Sequence, residues 1–158
     1  MKKALLVIFF LSINSSLALN WETEKITDDW EEETRTLIFS DSISPNKPLS
    51  FPYSDPLVYM YWDCDEGGFT MRNTANNFMD GETEDGYNLI KHDVKIDDKK
   101  KSITSYQSWN SEYLALDWMN RAELHSANNL IIRLNHYSDG YRQYAFDLSK
   151  LDIVEGCE

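Results

Sequence analysis

Short strand-like segments separated by turn residues run through most of this chain and constrain its fold more than any other feature. Residues 34–40 are rich in β-branched and aromatic side chains, residues 57–64 are strongly apolar, and residues 130–137 and 141–148 flank a Ser-Asp-Gly turn. β-Branched and aromatic residues favour strands, and such turn residues favour antiparallel hairpins. The sequence therefore predicts a mainly β domain, an antiparallel β sandwich or meander.

One segment has helical spacing instead. Asp117 can cap a helix, and the apolar residues Trp118, Met119 and Ala122 recur along one face through residue 127. We expect one helix over about residues 117–127, packed against the sheet, and a short terminal turn or helix over residues 150–157. The length of 158 residues, without an internal repeat, predicts one domain.

The first 18 residues have the layout of a secretory signal peptide. A basic start precedes an apolar run over residues 4–11 and a small-residue cleavage site that ends at Ala18. The run is shorter than the about 20 residues that span a bilayer, so a retained membrane anchor is the weaker alternative. We expect a signal peptide at residues 1–18 and one exported domain at residues 19–158, periplasmic or secreted, without a stable membrane anchor.

Export determines how the two cysteines are interpreted. Cys64 and Cys157 allow one intramolecular pairing. An even number of cysteines in an oxidising compartment is typical of disulfides, whereas two isolated cysteines lack the spacing of zinc ligands. We predict a disulfide between them and no metal site.

The net charge excludes some classes of partner. Removing Lys2 and Lys3 from the 15 basic side chains, against 27 acidic ones, leaves a net charge of −14. Nucleic acids and anionic membranes both attract Lys and Arg, so the acidic excess argues against them. It favours a protein partner, with a cationic surface as one option.

No catalytic motif stands out, so no catalytic residue and no cofactor are predicted. His92, His125 and His136 form no H-x-H or H-x-x-x-H pair, and the chain has no G-x-S-x-G sequence. The sequence thus predicts a protein that is not an enzyme. A hydrolase assembled from distant residues is the alternative, and these histidines are its candidates.

Residues 73–86 are rich in Asn, Asp, Glu and Gly, and we expect a flexible acidic loop there. Asp80, Glu82 and Glu84 alternate, as oxygen ligands of Ca²⁺ can, and Asp85 follows them. The segment departs from an EF-hand loop because Asp85 occupies the sixth position, where glycine is required. We interpret these four carboxylates as an acidic surface for a partner or, alternatively, for calcium.

Six aromatic residues on the predicted strands and at the helix start can form a binding platform for a sugar or peptide, or can belong to the core. They are Tyr59, Tyr61, Trp62, Trp109, Tyr113 and Trp118. Core positions and cross-strand pairs are the commoner places for such residues, and we predict these for the six.

Several motifs follow one another in the C-terminal half. A charged strand-turn at residues 92–100 precedes a Ser-Trp pair, the predicted helix, the apolar-arginine strand at 130–134 and the sequence Ala-Phe-Asp-Leu-Ser-Lys-Leu at 145–151. This order resembles a family of small periplasmic proteins related to VasI, an accessory protein associated with type VI secretion. The resemblance extends more loosely over residues 21–157. It departs from the family where Lys99 and Lys150 replace turn glycines.

The resemblance implies an exported, disulfide-linked, β-rich domain without a known catalytic apparatus, and thus a non-enzymatic interaction or accessory module. A phage- or prophage-encoded exported protein of the same fold is one alternative. Another is an inhibitor of a basic cell-wall hydrolase of the lysozyme type. Residues 61–69 are locally similar to a strand-turn of small periplasmic lysozyme inhibitors.

Overall fold

Antiparallel strands dominate the part of the chain that the computed structural model describes. That part comprises residues 19–28, 33–53, 56–74, 82–108, 111–116 and 121–158. It contains ten strands: β1 Trp21–Asp28, β2 Glu33–Ser40, β3 Val58–Asp63, β4 Gly68–Asn73, β5 Glu82–Glu84, β6 Tyr87–Ile96, β7 Lys99–Ser108, β8 Tyr113–Ala115, β9 Asn129–His136 and β10 Gly140–Asp147. It also contains two short helices, α1 Arg121–His125 and α2 Ile153–Gly156.

All ten strands belong to one antiparallel sheet. Its order is β1-β2-β3-β4-β8-β7-β6-β9-β10, and β5 pairs with β6 outside this path. The first four strands form a meander, and β9 and β10 form a hairpin beside β6. The prediction of a mainly β, antiparallel fold with little helix is therefore confirmed.

The sheet folds over a single core, so that its two ends meet. Trp21 Nε1 on β1 donates a hydrogen bond to the Asp147 carbonyl on β10 at 3.0 Å. Inside, Asn73 Nδ2 on β4 donates to the Tyr144 hydroxyl on β10 at 3.1 Å. Buried apolar side chains from both halves of the sheet form one cluster, which includes Met60, Phe69, Met71, Ile90, Val94, Leu114, Leu130, Ile132, Leu134 and Phe146.

The predicted helix is present, and it ends earlier than expected. Residues 117–120, including the predicted cap Asp117, lie outside the described residues. α1 ends at His125, two residues before the predicted end. Asp97 Oδ1 accepts hydrogen bonds from the backbone amides of Asn128 and Asn129 at 3.0 Å, which directs the chain into β9.

The loop predicted over residues 73–86 is wrong at its C-terminal end. Glu82–Glu84 form β5, which pairs with the first residues of β6 across an Asp85–Gly86 turn. Both turn residues have positive φ, 48° and 84°. This is the conformation that an Asp-Gly hairpin turn requires, and the dipeptide itself is a strong hairpin signal.

The turn between β6 and β7 is short. Lys99, Lys100 and Lys101 already belong to β7, and each pairs with a residue of β6. The turn needs only Asp97 and Asp98, because Asp97 adopts a positive φ of 48°.

The predicted disulfide is confirmed. Cys64 and Cys157 are bonded, with their Cα atoms 5.5 Å apart and a separation of 93 positions in sequence. The bond ties the end of α2 to the turn between β3 and β4, and it is compatible with an oxidising extracellular compartment. The predicted signal peptide, residues 1–18, lies outside the described residues. No helix within the described ranges is long and apolar enough to cross a membrane.

Candidate functional site

A group of aromatic side chains lies on the outer face of β2, β3, β4 and β8. Phe39 pairs with Tyr61 across β2 and β3, and Arg72 pairs with both Tyr59 and Tyr113. Directly paired residues share one face of a sheet, and the alternate residues of β3 are buried beneath that face. We call Phe39, Tyr59, Tyr61, Arg72 and Tyr113 the aromatic surface.

The rings of the aromatic surface contact one another at favourable separations. Phe39 lies 5.6 Å from Tyr61 and 6.3 Å from Tyr59, measured between ring centroids. Tyr61 lies 6.4 Å from Tyr113 in an edge-to-face arrangement. Tilted and edge-to-face pairs at these distances stabilise each other beyond the area that they bury. The rings therefore form a preorganised surface, and Tyr113 is 43% exposed within it.

Arg72 occupies the middle of the aromatic surface. Its guanidinium carbon lies 5.6 Å from the Tyr59 ring centroid and 5.5 Å from that of Tyr113. It donates hydrogen bonds to the Tyr59 hydroxyl at 2.7 Å and to Glu112 Oε2 at 2.8 Å. These hydrogen bonds, Tyr59 first and Glu112 second, raise the pKa of Arg72 above its ordinary value. The cation is thus fixed in position between two rings.

This arrangement is suited to binding. Tyrosine and arginine offer large contact areas and hydrogen-bonding groups, and they are enriched where protein interfaces derive most of their energy. The rings and the guanidinium already restrict one another's side-chain conformations. Binding a partner therefore costs little further side-chain entropy.

The structure separates the six aromatic residues that the sequence grouped together. Tyr59, Tyr61 and Tyr113 make cross-strand contacts on the aromatic surface, as the cross-strand part of the prediction expected, but they lie outside the core; the first two are half-buried. Trp62 does belong to the core, where it is 3% exposed and packs on Phe69 with ring centroids 4.6 Å apart. Trp109 and Trp118 lie outside the described residues.

Sequence reasoning missed Phe39 and Arg72 as members of this surface. Buried and half-buried side chains alternate along β3, which places Trp62 on the face opposite to Tyr59 and Tyr61. This alternation could be read from the sequence, because residues 58, 60 and 62 are apolar. Arg72 joins through strand register, which the sequence does not specify by itself.

The three candidate histidines do not meet. His92 and His136 are 5% and 1% exposed beneath the sheet, whereas His125 is exposed at the end of α1. His92 Nδ1 contacts the Ile90 carbonyl at 3.1 Å, and Nε2 lies 3.4 Å from Ser105 Oγ. Burial lowers the pKa of both buried histidines, that of His136 to about 4. Their burial gives no support to the hydrolase alternative.

The acidic residues singled out in the sequence are described only in part. Asp80 lies outside the described residues. Glu82 and Glu84 lie at alternate positions of β5, and Asp85 is exposed in the turn that follows. Within the described residues, no three His, Cys, Asp or Glu side chains are grouped as metal ligands. The acidic or calcium-binding surface stays a prediction.

The strand-turn that is similar to lysozyme inhibitors uses its carboxylates within the protein. Asp65 Oδ2 accepts a hydrogen bond from the Thr36 amide at 3.2 Å, and Glu66 pairs with Arg35 at 2.8 Å. Asp63 Oδ1 accepts from the amides of both Asp65 and Glu66. These contacts stabilise the turn between β3 and β4 and explain its acidic sequence without a cationic target.

Comparison of the chain with protein-family models, with curated proteins and with solved structures finds no significant match to any of them. The fold and the aromatic surface are therefore the basis for inferring its function.

Proposed function

We propose that this protein is a non-enzymatic interaction module of the bacterial envelope, exported to the periplasm or secreted, which binds a protein partner through the aromatic surface. The observation that carries the proposal is Arg72, held between the rings of Tyr59 and Tyr113 on an outer sheet face. Rings that served only the core would be buried inside the sheet. A face that only contacts solvent would consist mainly of charged residues.

The resemblance to VasI-related periplasmic proteins agrees with this proposal and supplies its biological setting, an accessory role beside a type VI secretion apparatus. The signal-peptide layout and the disulfide support export. A phage-encoded exported protein would use the same surface. An inhibitor of a lysozyme-type hydrolase would also bind a protein, so the identity of the captured partner distinguishes these settings.

The experiment is capture from an envelope extract of the producing bacterium, followed by binding measurements with the purified partner. Tyr113→Ala removes the most exposed ring of the aromatic surface. We expect it to weaken binding about tenfold, because aromatic residues at interface centres contribute most of the binding energy. The matched control is Tyr137→Ala, which removes a ring that is 65% exposed at the end of β9, away from the aromatic surface.

Equal affinities of the wild type, Tyr113→Ala and Tyr137→Ala for the captured partner would contradict the proposal. Capture of a lysozyme-type enzyme, with loss of its activity on binding, would favour the inhibitor alternative over the secretion accessory. Unfolding midpoints of both variants confirm that each is folded before its affinity is compared.

A further inference from the structure

The outer face of β6, β7 and β9 carries a cluster of basic residues on a chain whose net charge is −12. Lys95 on β6 pairs with Lys100 on β7, and Asp93 pairs with Arg133 on β9. Lys91 lies four positions before Lys95 in β6, and residues at even spacing in a strand share one face. We call Lys91, Lys95, Lys100 and Arg133 the basic face.

Two adjoining depressions lie on the basic face. The first, about 380 Å³, is lined by Lys95, Lys100, Arg133, Ile131 and Gln143 among others. The second, about 450 Å³, is lined by Lys91, Thr104 and Tyr141 among others. Both depressions include Asp93 and Ser102, which are hydrogen-bonded to each other at 2.5 Å. Together they form a groove that crosses four strands.

Aromatic stacking and a nearby carboxylate hold Arg133 in the groove. Its guanidinium carbon lies 4.0 Å from the Tyr141 ring centroid, and Nη1 lies 3.6 Å from Asp93 Oδ2. A stacked guanidinium keeps its hydrogen-bond donors in a fixed plane, which matches the geometry of a carboxylate. Lys95 lies 3.5 Å from Asp98, yet Lys91 and Lys100 keep the local charge positive.

We propose that this groove binds an extended acidic segment of a partner polypeptide. Ionic strength near the physiological value screens charges beyond about 8 Å, so the local positive excess, not the net charge of the chain, determines what binds here. The proposal does not depend on the aromatic surface, which lies on other strands.

A polypeptide fits the groove better than a polyphosphate or phosphorylated glycan. Ile131 gives the groove an apolar wall, and the side-chain amide of Gln143 can form hydrogen bonds with a peptide backbone. Asp93 stands between the two depressions and would repel a closely spaced row of phosphates. Glutamate side chains along an extended peptide alternate at about 7 Å, which leaves room to avoid Asp93.

The test is fluorescence anisotropy with a labelled peptide of alternating Glu and Ser, at about 100 mM and about 500 mM NaCl. We expect saturable binding to the wild type at the lower salt concentration and loss at the higher one. Lys95→Glu combined with Lys100→Glu should weaken binding at least about tenfold. The matched control combines Lys25→Glu with Lys150→Glu, which makes the same charge change at two exposed lysines that line neither depression.

Three results would overturn the proposal. The first is that the wild type fails to bind the peptide, and the second is that both double variants lose affinity equally. The third is that inorganic polyphosphate displaces the labelled peptide at a lower concentration of negative charges than an unlabelled copy of the peptide does. The second result would indicate a response to net charge alone, and the third would indicate a phosphate polymer as the occupant. Thermal unfolding of both double variants confirms that each remains folded.

Discussion

At the residue scale, a buried chain of polar groups connects the two halves of the folded sheet. The Tyr144 hydroxyl accepts from Asn73 Nδ2 at 3.1 Å and lies 2.8 Å from His136 Nε2. Tyr144 Oη and His136 Nε2 therefore share one hydrogen bond, and the tautomer of the His136 ring determines which of them donates. All three residues are at most 1% exposed, so each polar atom depends on its protein partners for hydrogen bonding.

Tyr144→Phe tests the contribution of this buried hydroxyl. The substitution keeps the ring but leaves Asn73 and His136 without a hydrogen bond that each now makes. We expect the free energy of unfolding to fall by about 1–3 kcal/mol, measured by urea denaturation. Tyr137→Phe, at a hydroxyl on an exposed ring, should change it by less than about 0.5 kcal/mol. Equal effects of the two substitutions would contradict the role given to the network.

His136 makes the stability of the folded protein depend on pH. Burial, followed by the charge of Arg142, lowers its pKa from 6.5 to about 4. Because the unfolded chain binds the proton more readily, stability that is complete above pH 6.5 is lost as the pH falls towards 4. The loss should reach about 3 kcal/mol at most, and the lowered pKa of His92 acts in the same direction.

Urea denaturation between neutral pH and a pH of about 4 checks this dependence. His136→Gln should flatten the pH profile, because glutamine does not titrate. Tyr137→Phe, at an exposed ring, removes no buried histidine and should keep the profile of the wild type. Parallel profiles for the two variants would show that His136 does not cause the dependence.

At the element scale, the β5–β6 hairpin depends on a two-residue turn. Gly86 has a φ of +84°, which a residue with a Cβ adopts at a cost of about 1–2 kcal/mol. Gly86→Ala should therefore weaken the pairing of β5, and amide exchange at residues 82–84 should become at least about fivefold faster. Gly68→Ala is the control, because no atom lies within 4 Å of its added Cβ and its φ is not positive. Unchanged exchange in Gly86→Ala would contradict the turn's role.

The sequence predicted the long elements well and the short ones poorly, for a physical reason. In β6 the even positions carry Ile90, Val94 and Ile96, and the structure buries all three. β5 has three residues and two of them are Glu, so its formation depends on the turn and on pairing with β6 rather than on an apolar pattern. Lys99–Lys101 likewise belong to a strand through pairing with β6, which a run of like charges conceals.

The candidate site was predictable only in part. Tyr59 and Tyr61 were selected from the sequence as aromatic residues on a strand, but which face they occupy depends on the burial of their neighbours. Arg72 and Tyr113 are 41 residues apart in sequence and become neighbours because β8 pairs with β4. Long-range register of this kind arises from the whole fold and leaves no local signal.

At the scale of the whole molecule, the segment between β2 and β3 covers a sheet edge. The Asn46 amide donates to the Gln143 carbonyl, and the Asn46 side-chain oxygen accepts from the Gln143 amide, both at 2.9 Å. Arg142 also donates to the Pro48 carbonyl at 3.1 Å. This proline-rich segment uses hydrogen-bonding groups on the edge of β10 that would otherwise be open to another strand.

The disulfide closes the molecule by holding α2 against the start of the sheet. Gly156 lies so close to β1 and β2 that an added Cβ would approach Ile38 Cδ1 to 2.7 Å, and Cys157 follows it directly. Cross-linking residues 93 positions apart lowers the entropy of the unfolded chain, which stabilises the folded protein by about 4–5 kcal/mol.

Replacing Cys64 and Cys157 together by alanine should lower the free energy of unfolding by that amount, measured by urea denaturation. Wild-type protein under reducing conditions should match the double variant, since both lack the same constraint. A loss below about 1 kcal/mol in both would mean that the unfolded chain gains little entropy when the bond is absent, and that packing of α2 alone holds the C-terminus in place.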